Sequence, residues 1–329
     1  MTALEAPTFQ DVLRARSVVR RYLEPTPLVS RPALDERLGF SAYLKCENLQ
    51  PIGAFKIRGG LFLMSHLSDE ERQRGVVTAS TGNHGQSIAY AAREFGVRAV
   101  VYAPDGANPD KVSAMKRLGA EVVLEGRDFD ESRLAAEKRA DDDGMRFIHS
   151  ANEPDLIAGV GTYALEIIEA VPDLDTVIVP IGAGSGVCGT LTVMKTINPR
   201  IRVIGVQTTH MDAVYRSWKE GRLVTLESGT TFADGLATRV AFELPMRIIS
   251  EEIDDIRLVT DEDLCRSIVM LLEDAHLVAE GAGAAALAAA VQLRDELAGQ
   301  KVALIVSGGN ITLDTLRWAI STGTGAQGV

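Results

Sequence analysis

A chain of 329 residues is too long for one small core and suits either two domains or one large α/β domain with an insertion. With 46% apolar and 24% charged residues it has the make-up of a soluble globular protein, and a net charge of −11 without any clustered Lys/Arg run argues against a nucleic-acid surface. Its three cysteines, Cys46, Cys188 and Cys265, lie far apart with no CxxC spacing, which excludes a disulfide framework or a zinc site and fits a reducing, cytoplasmic compartment.

The first residues carry no basic segment followed by an apolar run, so no signal peptide is expected. Residues 9–22 predict a helix that stops before Pro25, and Pro25 to Pro27 is extended because proline also restricts its predecessor. Residues 42–46 predict a strand leading into the segment 51–60, where Lys56 stands between Phe55 and Ile57, after Gly53 and before Gly59 and Gly60. Apolar neighbours desolvate an amine and lower its pKa, which leaves a neutral nucleophile, and flanking glycines let backbone approach a bulky ligand. This is the pattern of a Schiff-base lysine, and equally of a lysine snorkelling at a helix start. Ile57, Leu61 and Met64 then mark a helical face.

Strand and helix signals alternate from here. Strands are predicted at 76–79, 99–102, 121–124 and 146–149. Helices are predicted over 88–95, ending at Gly96, over 109–118, ending at Gly119, and over a charged stretch at 129–140. Such a run implies a small parallel sheet wound by helices. Residues 155–169 are apolar on nearly every side and predict a buried helix. Residues 176–194 carry no charge, yet Pro180 and four glycines make them strand, loop and helix rather than a membrane span. A strand follows at 202–207, and residues 208–255 give no clear pattern. Thr260 and Asp263 form a capping-box start for a helix with Leu264, Cys265, Ile268, Val269, Leu271 and Leu272 on its stripe. Residues 281–293 form an alanine-rich helix, and 302–306 a buried strand.

Ligands in open α/β sheets bind beyond the carboxyl ends of strands, and four unusual loops fall there. Gly182-Ala183-Gly184-Ser185-Gly186 lies between an apolar strand and a helix, where bare amides and the helix dipole cradle a phosphate. Gly184, Gly186 and Gly189 also match GxGxxG, but a dinucleotide site wants an acid about twenty residues on, and the next strand ends at Gln207. Ser80-Thr81-Gly82-Asn83-His84-Gly85 opens a helix and reads as a carboxylate-binding nest or as an ordinary cap. His84 alone reads as structural. Glu280-Gly281-Ala282-Gly283 and Ser307-Gly308-Gly309-Asn310 each fit a ring-binding position or a plain turn.

Taken together and in order, these motifs resemble the serine/threonine dehydratase branch of fold-type II pyridoxal-phosphate enzymes, which also holds serine racemase. The segment Thr231–Ala237 matches as well, so the likeness covers nearly the whole chain. It implies a tryptophan synthase β-like α/β fold of two open, twisted, mostly parallel domains. The large one comprises 1–74 and 152–329, the small mobile one 75–151, and no C-terminal regulatory domain is expected. It implies that Lys56 holds pyridoxal 5'-phosphate and takes the α-proton, with Phe55 beside it. Asn83 would bond the ring hydroxyl, Gly182 to Gly186 the phosphate, and Ser307 the pyridine nitrogen. Gly235 and Glu280 would line the ring. The segment Ser80, Thr81, Gly82, Asn83 and His84 would hold the substrate carboxylate.

A serine hydroxyl is too weak an acid to keep the pyridine nitrogen protonated, so the ring is a weaker electron sink and β-elimination is favoured. The expected reaction converts L-threonine or L-serine to a 2-oxo acid and ammonia. The alternatives are a racemase, or a dehydratase for phenylserine or hydroxyaspartate. Racemases of the family place serine where Thr81 stands. Metal-dependent members carry an acidic pair where this chain has Gln207 and Ala213, so no divalent metal is expected. The expected partners are a small amino-acid substrate and further copies of the chain, as homodimer or homotetramer, with no membrane.

Overall fold

The structure, a computed structural model, describes residues 4–127 and 129–325. Its strands, among the described residues, are β1 (Leu28–Val29), β2 (Ser41–Cys46), β3 (Val76–Ala79), β4 (Ala99–Ala103), β5 (Glu121–Leu124), β6 (Arg146–Phe147), β7 (Thr176–Pro180), β8 (Arg202–Thr208), β9 (Asp255–Val259) and β10 (Lys301–Val306). Valine-rich β3, β4 and β7 are buried at every position, as parallel strands covered on both faces must be. The chain packs as two units, Met1–Leu23 with Lys56–Val160, and Glu24–Phe55 with Gly161–Val329.

The first unit holds a four-stranded, wholly parallel sheet in the order β5-β4-β3-β6. Val77, Val100 and Tyr102 form its core with Ala136 and Ala140 of the helix Phe129–Asp143. The helices Ile57–Ser65 and Asn83–Phe95 meet at a glycine: a Cβ on Gly60 would fall on Ser87. The helix Pro154–Ala170 approaches the same place, where a Cβ on Gly159 would lie 2.6 Å from the Arg58 carbonyl oxygen. These close approaches draw residues 56–74 and 152–160 into the unit of the four-stranded sheet, as also happens to residues 1–23. The sequence reading had grouped all three segments with the larger body.

The second unit is built on a six-stranded sheet in the order β1-β2-β10-β7-β8-β9, parallel except for β1 against β2. Leu44, Ile178, Ile204, Val206 and Leu304 of this sheet share one core with the alanine-rich helix Gly281–Gln292. That helix is buried from Gly281 through Ala290, because small side chains let it lie flat on the strands. On β2, Lys45 is buried and paired with Glu166 at 2.5 Å and with the Thr26 carbonyl at 2.8 Å.

The unread stretch 208–255 holds two helices, Ala213–Glu220 and Glu243–Glu252, before β9. The strand β9 pairs only with β8 and carries Asp255 and Arg257, the charges of a sheet edge, which erase the apolar run that marks an inner strand. The helix opened by Thr260 has its capping box, and Leu264, Cys265, Ile268 and Leu271 are buried, whereas Val269 and Leu272 are only half buried. Among the described residues no helix is long and apolar enough to cross a membrane.

A methyl group at 159 would press on backbone, which cannot rotate away. Gly159→Ala is therefore expected to lower the unfolding free energy by about 1–3 kcal/mol, the usual cost of overpacking, read from urea melts.

Candidate active site

In the second unit, Pro180 stands opposite Val206, and Val306 opposite Cys46. Leu304 faces Ile178, so the β10–β7 register carried forward sets Ser307 level with Ile181. The loop 182–186 and the turn 307–310 thus leave neighbouring parallel strands at the same end. A Cβ on Gly182 would fall on the Gly235 carbonyl oxygen, and one on Gly235 would lie 2.7 Å from Ala282 Cβ and 3.9 Å from Glu280 Oε1. The Glu280 amide donates to the Gly308 carbonyl at 3.1 Å, and the Phe55 amide to the Ser307 carbonyl at 3.1 Å. The Phe55 ring stands 3.5 Å from where a Gly186 Cβ would be. Phe55, the loop 182–186, Gly235, Glu280 and Ser307 are therefore gathered in one place, from segments far apart in sequence.

In the first unit, Lys56 is brought to the loop 80–84. The Ser87 hydroxyl, one turn into the helix that starts at Asn83, donates to the Lys56 carbonyl at 2.6 Å. Sequence reasoning passed over Ser87, which follows the motif Ser80–Gly85 by two residues. The Ser80 hydroxyl accepts from the amides of Gly82 at 3.1 Å and Gly85 at 2.8 Å, and the Ser80 amide donates to the Tyr102 carbonyl. The amides expected to hold a ligand are thus spent within the protein, that of Ser80 on the pairing with β4 and that of Gly82 on the turn. Those of Thr81 and His84 make no hydrogen bond within the described residues.

The four motifs share a feature that the protein's other helix starts do not all have. Lys56, Gly82, Gly184 and Glu280 are each the N-cap of a helix, and none supplies a side-chain cap. Thr8, Ser68, Asn108, Thr260 and Thr312 cap their helices in the ordinary way. An uncapped helix start keeps amides and a positive dipole end for something else.

Two titratable groups are tuned in the first unit. Loss of water around the Lys56 amine lowers its pKa from 10.5 to about 8. Burial, followed by the charges of Lys56 and His149, pulls His84 down to about 3. The Thr78 hydroxyl donates to the Ile148 carbonyl at 2.8 Å, so it accepts from His84 Nε2 at 2.9 Å. His84 Nε2 therefore carries the proton, burial keeps the ring neutral, and its Nδ1 is buried without a partner.

These residues fit a phosphorylated aldehyde. Gly184 adopts φ +106, open to glycine alone, and Cys188 is the first amide of its helix to bond backward, to the Gly184 carbonyl at 3.0 Å. The amides of Ser185, Gly186 and Val187 precede it and have no acceptor in the helix itself, which is the geometry an anion needs. An amine poised near neutrality suits the aldehyde. The residues at the end of β8 and just beyond it do not fit a divalent cation held by carboxylates. Gln207 Oε1 accepts from the Tyr215 amide at 2.8 Å, leaving a buried NH2 group that no cation can use. Asp212 is drawn to Arg216 at 2.9 Å, and no group of three or more His, Cys, Asp or Glu gathers among the described residues.

Residues 19–308 match the family model described as pyridoxal-phosphate dependent enzyme. The chain is 41% identical to an L-threonine ammonia-lyase of Thermotoga maritima over 96% of its own length and 79% of the relative's. Its fold superposes on threonine deaminase isoform 2 of Solanum lycopersicum with a TM-score of 0.91 at 30% identity, covering 98% of this chain and 96% of that one. It superposes on maize serine racemase with a TM-score of 0.90 at 32% identity, covering 98% and 99%.

The Lys56 shift has a sign that can be read in stability. Its folded pKa of about 8 lies below the ordinary 10.5, so between those values the unfolded chain binds the extra proton. Stability from this group must therefore rise with pH across that window. In urea melts of the ligand-free chain, Lys56→Met is expected to remove that rise.

Proposed function

The chain belongs to the family of pyridoxal-phosphate dependent enzymes, and on that premise we propose that it deaminates a β-hydroxy amino acid, L-threonine or L-serine, to a 2-oxo acid and ammonia. The observation that carries the reading is the Lys56 amine, its pKa lowered to about 8, held beside the loop 80–84 by the Ser87 bond to its carbonyl. The bound cofactor supplies an electron sink for the substrate's α-carbon. Lys56 would hold the cofactor through its amine, and its lowered pKa raises the share of neutral amine able to take the α-proton. By the family likeness, the amides of the loop 182–186 would hold its phosphate, Ser307 would take the ring nitrogen and Asn83 the ring hydroxyl. Phe55, Gly235 and Glu280 line the ring.

The substrate carboxylate falls to the amides of Thr81 and His84, which make no hydrogen bond within the described residues. The His84 ring adds neither charge nor a mobile proton there, since Thr78 fixes its tautomer. A racemase acting on the same substrates is the second reading, favoured by the likeness to maize serine racemase. We also propose a cytoplasmic homodimer or homotetramer, a location supported by three buried, unpaired thiols.

Purified with the cofactor, the wild-type chain is expected to be yellow and to retain the cofactor on Lys56 after borohydride reduction. Lys56→Ala should be colourless and at least about 10³-fold slower, within the range for losing a positioned base. A panel of L-threonine, L-serine, phenylserine and hydroxyaspartate, assayed for 2-oxo acid and ammonia, names the substrate. D-serine forming faster than pyruvate from L-serine would select the racemase instead.

A further inference from the structure

Behind the loop 182–186 lies a side chain to which the sequence assigns no role. Tyr163 is wholly buried in the helix Pro154–Ala170, yet its hydroxyl is not idle. It donates to the Gly186 carbonyl at 2.8 Å and lies 2.8 Å from the Thr190 hydroxyl, which itself donates to the Gly186 carbonyl at 3.0 Å. Thr190 is likewise wholly buried. The Tyr163 ring meets the Phe55 ring edge to face, with centroids 6.2 Å apart and planes at 89°.

We propose that Tyr163, together with Thr190, is the positioning clamp of the phosphate-binding helix start. The argument is geometric. A trans peptide is planar, so the Gly186 carbonyl and the Val187 N–H point in opposite directions. Two hydroxyls that hold the carbonyl inward therefore aim the Val187 amide outward, beyond the helix start. Val187 is the third residue of that helix, and the next amide, Cys188, already bonds inward to Gly184. Val187 thus joins Ser185 and Gly186 as a donor to the anion, one residue past the loop that the glycine pattern marks. Thr190 alone would only echo the common back-bond of a helical threonine to its own turn. The tyrosine adds a hold from a different helix, and the Phe55 ring keeps that tyrosine upright. A loop of small residues has little rigidity of its own, and this clamp supplies it.

The proposal rests on reading 182–186 as the phosphate site, and one experiment separates the two. Apparent dissociation constants of the ligand-free chain are measured for pyridoxal 5'-phosphate and for pyridoxal, which lacks the phosphate, by the visible absorbance of the bound aldehyde. The wild-type chain is expected to prefer the phosphorylated form strongly. Tyr163→Phe, which removes one buried hydroxyl, should weaken it roughly tenfold while leaving pyridoxal nearly unchanged. Thr190→Val should move the same ratio in the same direction, and it serves if Tyr163→Phe does not fold. A wild-type chain that prefers the phosphorylated form, with variants that keep the full preference or weaken both aldehydes equally, overturns the clamp alone. A wild-type chain that binds both aldehydes alike overturns the phosphate reading and the clamp with it.

Discussion

Across β2, β10, β7 and β8 the residues Cys46, Val306, Pro180 and Val206 stand in one line, where the chain leaves β2, β10 and β7 while β8 runs on to Thr208. Parallel pairing with one face on helices and the other on helices permits no slip, because a one-residue shift would turn every buried side chain to the wrong face. The line therefore fixes where Ile181 and Ser307 emerge. The glycines follow from this crowding: Gly182 against Gly235, Gly235 against Ala282, and Gly308 against Glu280 leave no room for a Cβ. What faces outward from such a line is backbone rather than side chain.

The helix starts turn that backbone into chemistry. Lys56 sits where a cation is least welcome, at the positive end of the helix Ile57–Ser65, and dipole and desolvation act on it in the same direction. His84, also in a first turn, is kept neutral by burial and by the charges of Lys56 and His149, while Thr78 fixes its tautomer. A lysine whose charge is weakened and a ring held neutral near pH 7 leave the first unit's site with little fixed charge of its own.

Local signals were legible in the sequence. Valine runs, glycine-marked loops and the order of the motifs identified nearly every inner strand and the four uncapped helix starts of the motifs. Three kinds of feature were hidden. Strand β9 was masked by edge charges at Asp255 and Arg257. The grouping of residues 56–74 with the four-stranded sheet depends on Gly60 meeting Ser87, a fit between helices that no periodicity announces. Tyr163 lies in a helix apolar on every side, where one more aromatic reads as filling. Only Thr190, four residues beyond Gly186, carried a local hint.

Glu280 shows what such a site costs in durability. Its backbone, at φ −77 and ψ 170, has the extended form in which Ser, Thr or Asp caps a helix, yet glutamate there makes no cap. A short polar side chain would strengthen the fold by about 1 kcal/mol. Residue-by-residue hardening of this protein for heat would be drawn to position 280 first, and there each gain in endurance would be taken from the carboxylate proposed to line the cofactor ring.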